Sequence, residues 1–104
     1  MEHELKTWPS SFVAIWQGEK RYELRRADRD FQVGHTLLLR EWVPEHAELG
    51  VGGCGDVVLP DYTGRWIRAR VTCVTRSGEF PGLEPGFVIM GITAVDASAG
   101  GPAR

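Results

Sequence analysis

Lys20, Glu23 and Arg25 place an ammonium, a carboxylate and a guanidinium within the run Gly18-Glu19-Lys20-Arg21-Tyr22-Glu23-Leu24-Arg25. A lysine at a turn can hold a phosphate or polarise a carbonyl. A carboxylate between two cations accepts a hydrogen bond from a base amino group, or takes a proton as a general base. A planar guanidinium orients such a carboxylate through a bidentate contact, or binds phosphate itself. The bland alternative is a solvated charged strand whose surface ion pairs contribute little. Trp8 is either a core aromatic or a stacking surface for a base, a contact worth about 1 to 3 kcal/mol per base. Lys6 and Arg40 are further cations that either touch a ligand or remain solvated.

These groups need elements to position them. Pro9, Ser10 and Ser11 before an apolar stretch, with Gly18 at its end, predict a helix of two to three turns whose face is Phe12, Ile15 and Trp16. Gly18 supplies the left-handed residue that closes it. A strand over Lys20 to Arg26 follows, with Tyr22 and Leu24 on one face and Arg21, Glu23 and Arg25 on the other. Asp28 and Asp30 cap the polar turn after it. Leu37-Leu38-Leu39 predicts a strand buried on both faces. Residues 43–64 read as a glycine- and proline-rich loop, within which Asp56-Val57-Val58-Leu59 can add a short strand. Arg65 to Arg76 alternates, with Ile67, Ala69, Val71 and Cys73 inward. Phe80 to Gly86 is a connector, and Phe87 to Ile92 the last strand. Trp16, Trp42 and Trp66 are expected in the core, and a disordered tail begins near Asp96, giving one domain over 1–95 and a tail over 96–104.

The chain has 104 residues, 42% of them hydrophobic, enough for one core. Its net charge of −2 excludes a protein that grips nucleic acid by bulk positive charge, so any such binding rests on a local site. There is no apolar run long enough to span a membrane and no secretory signal at Met1-Glu2-His3-Glu4, which makes the cytoplasm the expected compartment. Cys54, expected in an exposed loop, and Cys73 lack ligand or disulfide-framework spacing, and His3, His35 and His46 are scattered. No metal and no cofactor are expected.

The pattern Gly18-x-Lys20-x-x-Glu23-x-Arg25, followed by Asp30-Phe31-x-Val33-Gly34-x-x-Leu37, resembles the ASCH domains of the PUA-like superfamily. His3 to Pro9, Arg29-Asp30-Phe31, Leu39-Arg40-Glu41-Trp42 and Tyr62-Thr63-Gly64-Arg65 look like a small ASCH-like group of bacteria and their phages. The resemblance implies an α+β fold, a small PUA-like β-barrel with one or two short helices, and a polar cleft that binds RNA or a modified nucleotide through Lys20, Glu23, Arg25, Trp8, Lys6 and Arg40. One branch hydrolyses acetylcytidine with a threonine nucleophile where this chain has Glu23, and His35 replaces the aspartate usual after Val-Gly. A hydrolase of a modified nucleoside or of RNA would here use Lys20 as electrophile or activated amine and Glu23 as base. A protein-interaction module of phage or bacterial origin is the third reading. Binding of RNA or a nucleotide is the expected function.

Overall fold

A computed structural model describes residues 1–44 and 61–98. The period-two pattern of Glu2-His3-Glu4-Leu5-Lys6-Thr7 buries His3, Leu5 and Thr7 and forms the first strand, β1 (Glu2–Thr7), which the sequence analysis did not assign. Helix α1 (Pro9–Trp16) starts on proline, has no side-chain cap, and buries Phe12 and Ile15 with Trp16 packed alongside. It closes through Gly18 at φ 80°, the left-handed conformation expected of that residue. The remaining elements are β2 (Tyr22–Arg26), β3 (Thr36–Val43), β4 (Asp61–Arg76) and β5 (Phe87–Ala97).

The five strands form one mixed sheet in the order β1-β3-β4-β5-β2, curved into a half-barrel. Only β1 and β3 run parallel, from Glu2 opposite Thr36 to Thr7 opposite Glu41, and the other pairs are antiparallel. The concave side carries the core: Leu5, Phe31, Leu37, Leu39, Ile67, Ala69, Val71, Val88, Met90 and Ile92, closed by Phe12 and Ile15. Among the described residues α1 is the one α-helix, and no helix is long and apolar enough to cross a membrane.

Several expectations give way to geometry. Leu37 and Leu39 are buried while Leu38 is only half-buried, because the sheet has one covered face. Cys73 is exposed rather than buried. The ladder of β4 slips against β5 between Val71 and Cys73, and the extra residue reverses the alternation from Thr72 onward. Gly91 sits at that slip, where a Cβ would meet the Cys73 Sγ at 2.7 Å. Trp42 and Trp66 lie half-buried on the convex face, and only Trp16 of the three packs on the core. Strand β4 begins at Asp61, inside the expected loop, and β5 continues past Ile92 to Ala97, with Ser98 N donating to Trp66 O at 3.0 Å. Asp96 and Ala97 are therefore strand, not tail. Asp56-Val57-Val58-Leu59, Cys54, His46 and the rest of the tail, 99–104, lie outside the described residues.

One buried carboxylate ties helix to sheet. Glu41 on β3 accepts from Arg65 Nε at 2.8 Å, from Arg65 Nη2 at 2.9 Å and from Thr63 Oγ1 at 2.7 Å. The same guanidinium lies over the rings of Phe12 and Trp16 at 5.1 and 4.9 Å. Burial alone would raise the Glu41 carboxyl, but the Arg65 and Thr63 hydrogen bonds outweigh it and hold the group below the ordinary carboxylate range. Glu41→Gln should therefore cost about 2 kcal/mol in urea unfolding, less than for a fully buried pair because Arg65 can turn towards water. A loss below about 0.5 kcal/mol would contradict the role given to this pair.

Candidate functional site

Strands β1 and β2 are the two edges of the sheet, and they face each other across an open seam. An exposed edge carries unpaired backbone groups that invite another strand. Here two arginines occupy them. Arg25 Nη2 donates to Lys6 O at 2.8 Å, and Arg29 Nη1 donates to Glu4 O at 2.9 Å. The seam widens into a cleft of about 730 Å³, the size range of small-ligand sites. Lys6, Arg25, Arg26 and Arg29 supply its cations, and Glu4 and Asp28 its carboxylates. Phe31, Tyr62 and Phe87 supply aromatic wall.

The structure divides the residues singled out in the sequence. Arg25 and Lys6 line this cleft. Glu23 does not, because the charged side of β2 faces inward: Glu23 is buried while Tyr22 and Leu24 are exposed. Its Oε2 accepts from Arg25 Nη2 at 3.4 Å, which also lies 3.5 Å from Thr7 Oγ1, so Glu23 orients the arginine from behind. The solvated-strand alternative is thereby corrected, since a covered face must keep its charges paired. Lys20 is separated from both. Its Nζ donates to Ser11 Oγ at 2.9 Å, lies 5.0 Å from the Tyr22 ring centre, and borders a second hollow of about 220 Å³ with Ile15 and Ile92. The three charges that looked like one cluster belong to two places because the turn after α1 sends Lys20 towards the helix.

Trp8 is 58% exposed at the junction of β1 and α1, so it is not core. Arg40 reaches Glu4 Oε2 at 2.7 Å and lies 3.7 Å from the centre of the Tyr62 ring. Arg29, Arg26, Phe31 and Phe87 are cleft residues that sequence reasoning missed. Arg29-Asp30-Phe31 was visible as a motif, but only the crossing of β1 to β3 brings it against Glu4.

A pair formed by the buried His3 and the half-buried His35 stands behind the cleft wall. His3 Nε2 and His35 Nδ1 are 3.0 Å apart, and the His3 ring lies 4.8 Å from that of Phe31. Among the described residues no three metal-ligating side chains converge. Burial, then the neighbouring His35, Arg29 and amino terminus, lower the His3 pKa below its ordinary value, with Asp30 acting in the opposite sense.

The chain matches over residues 2–92 the profile of a family described as a domain of unknown function, DUF3850, and it belongs to that family. It is similar to an uncharacterized 12.9 kDa protein in the GpA 3′ region of Escherichia phage P2, at 38% identity over 73 residues. That match covers 70% of this chain and 53% of the phage protein, so the chain spans about half the length of the curated relative it matches.

The lowered His3 group sets a pH dependence of stability. The unfolded imidazole takes its proton first as pH falls through about 6.5, whereas the folded one resists, so stability is intact above that value and declines below it. The thermal midpoint should fall between about pH 7 and pH 5, and His3→Gln should flatten that decline. The Glu41 contribution is lost only at lower pH, below its ordinary carboxylate range, which separates the two. Parallel declines in both proteins would exclude His3 as the group responsible.

Proposed function

We propose that the protein binds a nucleotide, free or as a unit of RNA, in the cleft between β1 and β2. The observation that carries this reading is the convergence of Lys6, Arg25, Arg26 and Arg29 on one cleft with aromatic walls, in a chain whose net charge is negative. Arg25 and Arg29 are held by backbone carbonyls, so their remaining N–H groups meet a phosphate at little further ordering cost. Glu4 and Asp28 limit how much negative charge the cleft accepts, and they offer acceptors to a base amino group. The resemblance to ASCH domains supports the same reading, as a PUA-like barrel in a bacterial or phage setting with the cytoplasm as its compartment.

Binding is favoured over hydrolysis by one separation. Lys20 and Glu23, the pair a hydrolase would combine, are held apart, one on Ser11 and the other beneath Arg25.

Isothermal titration with nucleoside 5′-monophosphates tests the reading. Arg29→Ala or Lys6→Ala should weaken binding by about 1.5 to 3 kcal/mol, the range of a charge-assisted hydrogen bond, with a salt slope of about one to three phosphates. Lys20→Ala should leave affinity unchanged. Affinity lost in Lys20→Ala and retained in the cleft variants would move the site to the smaller hollow and overturn this assignment.

A further inference from the structure

The cleft opens onto the convex face of β3 and β4, and that face has an order that the seam does not require. Trp42 stands opposite Tyr62 across the two strands, and Arg40 opposite Trp66. A cation lies over each ring: Arg40 at 3.7 Å from Tyr62, Lys6 at 4.7 Å from Trp42 and Arg68 at 5.2 Å from Trp66. All three rings are half-buried, so they are neither core nor loose surface.

The charges on this face are nearly balanced. Arg40 is tied to Glu4 at 2.7 Å, and Arg68 to Glu2 at 2.8 Å and Asp96 at 3.8 Å. A basic groove that tracks many phosphates would leave its cations free, so this face offers something else. It presents guanidinium planes backed by rings, Arg40 on Tyr62 and Arg68 on Trp66, and unpaired bases stack on arginine planes as they do on aromatic rings, without regard to sequence. Continuity with the cleft decides where a ligand would run: Lys6, Glu4 and Tyr62 line the cleft and also belong to, or contact, the aromatic face. A chain leaving the cleft past Lys6 and Tyr62 meets Trp42 beneath Lys6 and Arg40 on Tyr62, with Trp66 opposite Arg40 beyond them.

We propose that the ligand is a single-stranded oligonucleotide, one nucleotide in the cleft and those beyond it stacked on the Arg40–Tyr62 platform and on Trp42 and Trp66. The inference rests on the cleft reading above and extends it from a single nucleotide to a strand. The occupant is nucleic acid and not an acidic peptide, because the two guanidiniums of this face that would grip carboxylates, Arg40 and Arg68, already hold Glu4, Glu2 and Asp96, whereas a base stacks on a guanidinium plane whether or not its edge is paired.

The test uses the full chain with three probes: uridine 5′-monophosphate, a mixed-sequence RNA hexanucleotide, and its DNA counterpart. Each base gained on an aromatic surface strengthens binding roughly fivefold or more. The hexanucleotide should therefore bind at least about tenfold tighter than the mononucleotide. A Trp66→Ala variant, remote from the cleft cations, should lose part of that gain while keeping mononucleotide affinity, and Trp66→Phe, which keeps a ring there, should retain most of it. Equal strengthening with RNA and DNA supports stacking alone, and a preference for RNA adds recognition of the 2′-hydroxyl. If the mononucleotide binds but length adds nothing, or if hexaglutamate binds as tightly as the hexanucleotide, this inference fails and the cleft reading stands. If none of the nucleic-acid probes binds, both fall.

Discussion

The hydrogen bonds from Arg25 and Arg29 to the carbonyls of Lys6 and Glu4 join the edge of β1 to β2 and to the turn that follows it, segments that no backbone ladder connects. A sheet that curls but does not close must satisfy or shield its free edges, and charged side chains are one means of doing so. In this chain the means also creates the cleft, because a guanidinium spans a wider gap than an amide pair does. The seam stays open as a cleft while two of its edge carbonyls remain partnered. The family membership and the phage P2 relative place no chemistry there, so the assignment rests on this geometry.

Two buried carboxylates support the arrangement from the concave side. Glu23 stands behind Arg25, and Glu41 holds Arg65 against the helix. Each spends its charge on an arginine, as a covered carboxylate must. The consequence is a division of labour. Acids that face the core serve structure, whereas the exposed Glu4, paired with Arg40, and Asp28 line the cleft. A protein with a net negative charge can thus present four cations at one place.

Much of the fold was legible from local pattern. Proline and glycine marked α1, alternation marked the first part of β4, and an apolar run after a turn-rich connector marked the start of β5, because those signals depend on neighbours in sequence. What was not legible depended on neighbours in space. The parallel pairing of β1 with β3 joins segments separated by α1 and β2, and nothing in Glu2 to Thr7 announces its partner. The bulge that exposes Cys73 is a property of two strands, not of one. The inward turn of Glu23 runs against the rule that the apolar face is the covered one, and Tyr22 and Leu24 are left outside. At the site, Lys6 and Arg25 were found by residue type, while Arg29 required the seam. Lys20 was grouped with them because it is close along the chain, although it lies elsewhere in the fold.

Amide chemical-shift mapping with a nucleoside 5′-monophosphate tests the central claim most directly, since it locates the ligand without altering a residue. The account predicts perturbations along Glu4 to Thr7 and from Leu24 to Phe31, the two sides of the seam, with Gly18 to Arg21 and Ile92 to Ala94 unmoved. Shifts confined to the hollow beside Lys20, or no shifts at saturating nucleotide, would contradict it.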